Sequence, residues 1–369
     1  MSVYIHQLPG WPAFQWDADK LNLLLTEVRH QQGKLLGNME KMGFGLQAEA
    51  TLQTLTLDVL KSSEIEGELL DAEEVRSSIA RRLGMDIAGM VPADRHVEGI
   101  VEMMLNATQQ FNEPLTEERL FGWQASLFPT GRSGMHKIVV GAWRDNLPND
   151  PIQVVSGAAG KEKVHFEAPA AELLPDEMKH FIQWFNNTTT IDVVIKAAIA
   201  HLWFVTIHPF DDGNGRIARA IADMQLARAD GTTQRFYSMS TQIRKERNTY
   251  YTMLEKTQQG SLDITDWLEW FLQCIGRALL ASEEILSTVL QKANFWKNNA
   301  TTIFNKRQVL LLNKLLDGFN GKLTSSKWAA ITKSSQDTAL RDIQDLIEKK
   351  VLVKEEAGGR SSSYVLAMA

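Results

Sequence analysis

Apolar residues recur three or four positions apart along most of the chain, which is the period of an amphipathic helix. This pattern runs from residue 47 to residue 66 and stops at Gly67. Asp71, with Glu74 three residues later, predicts a capping box that starts a second helix ending near Gly84. The same spacing predicts further helices at 96–111, 116–127, 175–185 and 191–206, and a helical block at 214–290.

The pattern changes between about residues 137 and 169, where short β-branched runs replace the helical spacing. Residues 138–141 and 151–157 are predicted as short strands. Residues 163–167 are predicted to pair with the second of these across a turn at 157–160. The sequence therefore predicts a mainly α-helical fold that contains one β-hairpin.

Residues 301–369 have the pattern of a winged helix, with three short helices followed by a hairpin. The helices are predicted at 306–316, 325–331 and 337–349, and the strands at 351–355 and 363–366. This segment contains 11 Lys and Arg against 7 Asp and Glu, a charge of +4, so the rest of the chain carries −10. We predict a helical N-terminal region at 1–95, a central region at 96–295 and this C-terminal unit at 301–369.

Composition excludes several classes of protein. The net charge of −6 and the pI of about 5.8 argue against a surface that binds nucleic acid throughout. One cysteine, Cys274, rules out an internal disulfide and a cysteine-based zinc site. The most apolar stretch, 191–207, is too short and too polar to span a bilayer, and the first residues lack the apolar run of a signal peptide. A soluble cytoplasmic protein without membrane contact is expected.

The stretch from His208 to Arg219 carries the candidate chemistry. Pro209 ends the preceding apolar helix, and a turn with two glycines then leads into a new helix. Such a loop directs backbone N–H groups and the positive end of the helix dipole at one point, which suits a phosphate. Arg216 and Arg219 lie three residues apart on one face of that helix, and their planar donors match phosphate oxygens.

Two further residues complete the pattern. Asp212 is a hard oxygen ligand of the kind that holds Mg²⁺ beside substrate phosphates. His208 has an ordinary pKa of about 6.5 and is the natural base for a hydroxyl nucleophile. A base, a metal ligand and paired arginines at an anion site indicate phosphoryl-type transfer.

The stretch resembles the Fic signature: His-Pro-Phe, any residue, Asp or Glu, Gly-Asn-Gly-Arg, two free residues and Arg. Every fixed position is filled. The resemblance implies that His208 deprotonates a protein hydroxyl that attacks the α-phosphate of ATP, and that Asp212 binds Mg²⁺. It also implies that the nucleotide is bound by the glycine loop and the two arginines, which are Gly213, Asn214, Gly215, Arg216 and Arg219. Of these, Arg219 would contact the γ-phosphate.

The segment Ser62-Ser-Glu-Ile-Glu66-Gly67 resembles the inhibitory motif of the same family, in an N-terminal helix at about 50–67. Ser62 and Glu66 are four residues apart and share one helix face. The resemblance implies a salt bridge from Glu66 to Arg219 that displaces the γ-phosphate. The substitution Glu66→Gly is therefore expected to raise activity.

Two other segments gain meaning from the resemblance. In Fic proteins a β-hairpin flap aligns the target by strand addition, and residues 151–157 resemble that flap, with Ile152, Val154 and Val155 as docking residues. Residues 244–251 resemble the segment that encloses the nucleotide base. Tyr250 and Tyr251 are candidates for that contact, although packing in the core is an equally good interpretation for one of them.

These features predict a protein adenylyltransferase that uses ATP and Mg²⁺ to modify a Ser, Thr or Tyr hydroxyl of a target protein or of itself. Transfer of another group, or removal of AMP, remains an alternative on the same fold. A homodimer is expected because dimers are common in the family. A regulator that binds DNA through residues 301–369 is the remaining alternative, although the acidic residues of its helix at 335–350 oppose phosphate contact.

Overall fold

The computed structural model describes residues 3–87, 89–147, 149–157, 163–188, 190–319, 321–355 and 362–367. The chain forms two compact units. The first comprises Met1–Met85 and Val91–Glu283, and the second comprises Asp86–Met90 and Glu284–Ala369.

Helices dominate the described residues, which confirms the predicted fold class. The helices up to the middle of the chain are α1 (Ala18–Glu40), α2 (Phe44–Ile65), α3 (Ala72–Arg82), α4 (Arg95–Gln109), α5 (Glu117–Leu127), α6 (Leu174–Asn186) and α7 (Val193–Ile207). The later ones are α8 (Asn214–Asp230), α9 (Met239–Lys245), α10 (Arg247–Gln258), α11 (Thr265–Asn298), α12 (Lys306–Leu316), α13 (Ser325–Thr332) and α14 (Gln336–Glu348). The strands are β1 (Arg132–Ser133), β2 (His136–Lys137), β3 (Gln153–Ser156), β4 (Lys163–Glu167), β5 (Leu352–Lys354) and β6 (Tyr364–Leu366).

The centre of the first unit is α7, which is buried from Val194 to Ile207 and packs mainly on α8. A helix that is apolar on all sides needs such a position. Three of its buried side chains are polar, and each has a partner. Lys196 Nζ donates to the Asn187 carbonyl at 2.7 Å, His201 Nε2 lies 2.9 Å from the Tyr250 hydroxyl, and the Thr206 hydroxyl accepts from Gln258 Nε2 at 3.3 Å. No helix among the described residues is long and apolar enough to cross a bilayer.

The cap of α3 differs in one respect from the predicted capping box. Asp71 is the N-cap, and its carboxylate accepts from the N–H groups of Glu73 and Glu74. The Glu74 carboxylate, however, accepts from the Asp94 N–H at 3.0 Å rather than from the cap residue. The reciprocal half of the box is thus replaced by a tertiary contact with the start of α4.

The predicted strand at 138–141 is wrong. The short strands β1 and β2 precede it. Within 138–141, side chains bond the backbone of Val139 and Gly141, while the Ile138 N–H donates to the Gly131 carbonyl at 3.2 Å. The Val139 N–H donates to Asp211 Oδ2 at 2.8 Å and its carbonyl accepts from Gln124 Nε2 at 3.1 Å, while the Gly141 N–H donates to Gln124 Oε1. Side-chain partners from α5 and from the loop after α7 take the place of a ladder.

The predicted β-hairpin of the central region is present as β3 and β4, which pair antiparallel with Val154 opposite Phe166. A bulge follows Val154, and most of the predicted turn at 157–160 lies outside the described residues. Phe166 packs in a small core with Tyr4, Ala168 and the half-buried Ile152. One face of the hairpin is therefore anchored to the protein.

The second unit has the predicted order of three helices and a hairpin, α12 to α14 followed by β5 and β6. Its core contains Leu311, Leu312, Leu323, Trp328, Ala339, Ile343, Leu346, Val351 and Leu352. The predicted connection at 357–360, which includes Arg360, lies outside the described residues.

Candidate active site

The loop between α7 and α8 is held in shape by its own side chains. His208 ends α7 in the left-handed conformation (φ 52°), and Gly213 is the N-cap of α8 with φ 90°. The buried Asn214 amide bridges the backbone of Phe210: its Oδ1 accepts from the Phe210 N–H at 3.0 Å and its Nδ2 donates to the Phe210 carbonyl at 2.7 Å. The Asn214 side chain is thus committed to the loop, and the N-terminus of α8 is left to present backbone N–H groups.

His208 is placed as a neutral imidazole. Its Nδ1 lies 3.3 Å from the Val205 carbonyl, which can only accept, so Nδ1 carries the hydrogen and Nε2 keeps its lone pair. Burial, with a smaller contribution from the nearby Arg144, lowers the pKa of His208 to about 4. A neutral ring with a free Nε2 is the state that a general base requires.

Arg144 fixes the backbone of this histidine, and nothing in the sequence pattern pointed to it. Its Nε donates to the His208 carbonyl at 2.7 Å and its Nη2 to the Pro169 carbonyl at 2.6 Å. Its own N–H donates to the Pro209 carbonyl at 3.0 Å. One buried guanidinium therefore joins the segment after the hairpin to the loop between α7 and α8.

Asp212 lies at the N-terminus of α8. Its Oδ1 accepts from the Gly213 N–H at 2.6 Å, and its Oδ2 is in close contact with the Ser133 hydroxyl. No group of three or more metal-ligating residues occurs in the described part of the chain. A single carboxylate beside an anion site fits Mg²⁺, which keeps several waters and takes further ligands from substrate phosphates.

Arg219 is buried and is held by the end of α2. Its Nε donates to the Ser62 hydroxyl at 2.9 Å, and its Nη2 donates to the Ser62 carbonyl at 2.9 Å and to Glu66 Oε1 at 2.7 Å. Burial alone would lower the pKa of Arg219, but the Glu66 carboxylate reverses this and raises it. The predicted contact between the two segments is therefore present as a charged hydrogen bond.

The Glu66 carboxylate also covers the glycine loop. A Cβ built on Gly215 would come within 2.3 Å of Glu66 Oε1, so only glycine permits this approach. The Nη1 of Arg219 would lie 3.4 Å from the same point and has no hydrogen-bond partner among the described residues. The carboxylate thus lies where the start of α8 and Arg219 both direct positive charge.

The end of α2 explains how the carboxylate is aimed. Gly67 has φ 87°, its N–H donates to the Glu64 carbonyl at 3.1 Å, and the Glu68 N–H donates to the Ser63 carbonyl at 3.0 Å. These are the two hydrogen bonds of a Schellman motif, with glycine in the left-handed position. The motif fixes the direction of the chain at Glu66, the C-cap.

Arg216 is the second buried arginine of the loop, and it too has an acidic partner. Its Nη1 donates to Glu68 Oε2 at 3.0 Å, and its guanidinium lies over the Phe128 ring at 5.1 Å. The structure therefore pairs both arginines with carboxylates from the end of α2. The sequence motif indicated only the pair of Arg219 with Glu66.

The two candidate tyrosines have different surroundings. Tyr250 is buried, and its hydroxyl lies 2.9 Å from His201 Nε2 on α7, which is a core position. Tyr251 is only partly buried, and its hydroxyl donates to the Ile65 carbonyl at 3.3 Å. Arg247 lies over the Tyr251 ring at 5.2 Å and donates to the same carbonyl at 2.7 Å. Of the pair, Tyr251 is the one that solvent reaches, and it contacts the end of α2.

The hairpin presents β3 outward. Val154 and Val155 are 36% and 48% exposed, and all of β3 is accessible to solvent. The β4 strand is instead fastened to α10, where Glu255 accepts from Lys163 Nζ and pairs with His165 Nδ1, both at 2.8 Å. The hairpin is anchored through β4, so the outer edge of β3 is the one open to another strand.

In the second unit, acidic residues neutralise part of the positive charge of α12 and of the predicted helix at 335–350. Asp342 pairs with Arg307 at 2.7 Å, and Lys349 Nζ pairs with Asp345. Contact with DNA stays a prediction that these ion pairs do not favour.

Comparison with known proteins agrees with the motif. Residues 114–226 match the Fic/DOC family, and residues 4–85 match a domain of unknown function (DUF4172). A probable protein adenylyltransferase of Aquifex aeolicus is 30% identical over 28% of this chain and 30% of its own length. Protein adenylyltransferase fic-1 of Caenorhabditis elegans is 34% identical over 26% of this chain and 18% of its own. The chain thus spans less than a third of each of these relatives.

Two solved structures share the fold. A Fic family protein from Desulfovibrio desulfuricans G20 aligns over 94% of this chain and 95% of its own, with a TM-score of 0.51 and 20% identity. A Fic domain containing signaling protein from Bacteroides thetaiotaomicron VPI-5482 aligns over 70% of this chain and 97% of its own, with a TM-score of 0.52 and 20% identity. The predicted resemblance is therefore confirmed, and residues 114–226 are a Fic/DOC family domain within a mainly helical Fic fold.

Proposed function

We propose that this protein transfers AMP from ATP to a hydroxyl of a protein, and that Glu66 inhibits this activity. The contact that carries the proposal is the 2.7 Å hydrogen bond from Arg219 to Glu66, over a glycine that leaves room for the carboxylate. An acidic oxygen at the entrance of an anion site occupies the place of a phosphate oxygen. The relatives named as protein adenylyltransferases support the choice of reaction.

His208 acts as the base in this proposal. Its Nε2 takes the proton of the target hydroxyl while the hydroxyl oxygen forms a bond to the α-phosphorus of ATP. The bond from that phosphorus to the bridging oxygen breaks, and pyrophosphate leaves with the electron pair. The left-handed backbone at His208, fixed by Arg144, sets the direction of the ring.

The rest of the loop binds the triphosphate. The N–H groups at Gly213 to Gly215, with Arg216 and Arg219, stabilise phosphate charge in a partly buried site. Asp212 would hold Mg²⁺ together with phosphate oxygens, and the ion would neutralise charge on the leaving group. Tyr251 is the candidate for contact with the base, because Tyr250 is committed to the core.

The target is expected to dock as an extended segment along β3. Its backbone would extend the hairpin by one strand, and the exposed Val154 and Val155 would contact its side chains. This mode needs an open strand edge and a fixed partner strand, which the attachment of β4 to α10 supports. The target hydroxyl belongs to a Ser, Thr or Tyr, on another protein or on a second copy of this chain.

The inhibition follows from charge. While Glu66 accepts from Arg219, that arginine cannot bind the γ-phosphate, and the carboxylate repels the triphosphate from the loop. ATP that enters beside it has its α-phosphate out of line with the attacking hydroxyl. Removal of the Glu66 carboxylate frees both the arginine and the space over Gly215.

The test is incubation of the purified protein with Mg²⁺ and ATP labelled at either the α or the γ position. Glu66→Gly is compared with Glu66→Gly/His208→Ala. We expect label from the α position only, and loss of about 10²–10⁴-fold of the rate without the base. Label from the γ position would mean phosphate transfer and would overturn the proposal, as would undiminished labelling by the double variant.

A further inference from the structure

The turn after α2 carries two carboxylates, and the motif accounts for only the first. Glu66 is the C-cap, and Glu68 is the residue whose N–H closes the Schellman motif on the Ser63 carbonyl at 3.0 Å. Because this turn has a fixed geometry, the two acidic side chains have fixed starting points two residues apart. One reaches Arg219 and the other reaches Arg216.

The pair of Glu68 with Arg216 is partly desolvated. The Arg216 side chain is 6% exposed and that of Glu68 is 33% exposed. The Arg216 Nε has no hydrogen-bond partner in the described part of the chain, so Glu68 satisfies only one edge of the guanidinium. A buried, charge-assisted bond of this kind is stronger than a surface ion pair.

His96 is the third member of the group. Its Nε2 is in close contact with Glu68 Oε1, while Oε2 of the same carboxylate accepts from Arg216. This bond lowers the pKa of Glu68, which keeps the carboxylate ionised, and raises the pKa of His96. Asp94 also acts on Glu68 and His96: its negative charge favours the protonated form of each and so raises both pKa values.

We propose that Glu68 is a second residue that sets the affinity of this site for a nucleoside triphosphate, by occupying Arg216 until the phosphates displace it. The inference rests on the proposed function, since it takes Arg216 as a phosphate ligand. Arg216 exchanges one anionic partner for another when the nucleotide binds. His96 keeps the released carboxylate paired, so that the exchange does not leave an unpaired charge in a partly buried site.

The roles of the two acids then differ in a measurable way. Glu66 stands where the γ-phosphate would lie and blocks productive alignment, so its removal raises kcat in addition to ending the repulsion of the triphosphate. Glu68 competes for Arg216 and leaves the loop itself open, so its removal acts on binding. A residue that acts on ground-state binding alone changes KM with kcat nearly constant.

The experiment measures the Kd of ATP with Mg²⁺ by calorimetry, and the labelling kcat and KM, on the full chain. Glu68→Gln keeps the shape of the side chain and removes its charge. In the Glu66→Gly background we expect this substitution to lower Kd and KM about tenfold, with kcat within about twofold. Glu68→Gln alone should tighten ATP binding and leave labelling low, because Glu66 remains.

Glu64→Gln is the matched control, since Glu64 lies on the same helix end but pairs with Lys61 and Arg244. It should leave Kd unchanged. His96→Gln, which removes the alternative partner of Glu68, should weaken ATP binding, opposite in sign to Glu68→Gln. Thermal melts establish that each variant is folded.

An unchanged or larger Kd of ATP in folded Glu68→Gln would overturn the inference. The proposed function would stand as long as Glu66→Gly still transfers AMP. Absence of ATP binding in every variant, Glu66→Gly included, would overturn both. Tighter binding in Glu68→Gln together with unchanged binding in His96→Gln would remove His96 from the exchange. A larger kcat in Glu68→Gln would assign Glu68 to alignment, against the proposed division of roles.

Discussion

The substitution Gly67→Ala should weaken the inhibition by Glu66 without removing the carboxylate of Glu66 or that of Glu68. Gly67 has φ 87°, and a Cβ added there meets no described atom within 4 Å, so the substitution acts through backbone strain alone. The left-handed conformation costs a non-glycine residue about 1–2 kcal/mol. The turn that aims Glu66 becomes less stable by that amount, and the population with the turn open rises by a factor of about 5–30.

The assay is the initial rate of label transfer from α-labelled ATP. If the rate follows the open population, Gly67→Ala should label about 5–30 times faster than the wild type, up to the rate of Glu66→Gly. Gly67→Asn is the control, because asparagine adopts this conformation at lower cost, and it should stay closer to the wild-type rate. If Glu66→Gly labels fast in this assay but Gly67→Ala labels only at the wild-type rate, the reasoning is refuted. Equal acceleration by alanine and asparagine would also refute it.

The remaining predictions concern the contact of Ser62 with Arg219, the support of His208 by Arg144, and the pKa of His208. Ser62→Ala removes the acceptor of Arg219 Nε but keeps the backbone carbonyl and Glu66. The labelling rate should therefore rise about tenfold, which is less than the rise expected for Glu66→Gly. Arg144→Met removes the donor to the His208 carbonyl, and we expect single-turnover labelling to slow at least tenfold with little change in ATP affinity. The pKa of His208 is lowered to about 4, so its basic form is lost only as pH falls through that value. In Glu66→Gly, kcat/KM should therefore be flat from about pH 6 to 8 and fall toward pH 4; a rise centred near pH 6.5 would indicate an ordinary histidine.

Much of the fold could be predicted from the sequence, because it depends on interactions between residues close together in the chain. Apolar spacing predicted most helices to within a few residues, because packing of one apolar face is what stabilises them. The strand predicted at 138–141 is wrong because the backbone of Val139 bonds to the side chains of Gln124 and Asp211, which are distant in sequence. Strand propensity describes a half-buried surface and does not reveal which groups satisfy the backbone.

The site divides in the same way. The stretch from His208 to Arg219 is contiguous, so one motif predicted the turn and the new helix that follows it, which is α8. Arg144 and Glu68 reach it from other parts of the chain, and neither lies in a pattern that distinguishes it from a surface residue. Contacts of this kind depend on tertiary packing.

The most direct test of the account compares the wild type with Glu66→Ala and Glu64→Ala in the initial rate of label transfer from α-labelled ATP. The two acids end the same helix, but only Glu66 contacts Arg219, at 2.7 Å; Glu64 pairs with Lys61 and Arg244. The account predicts a rate at least about tenfold above the wild type for Glu66→Ala, the factor expected from one lost charged bond, and the wild-type rate for Glu64→Ala. A folded Glu66→Ala protein that labels no faster than the wild type would contradict it.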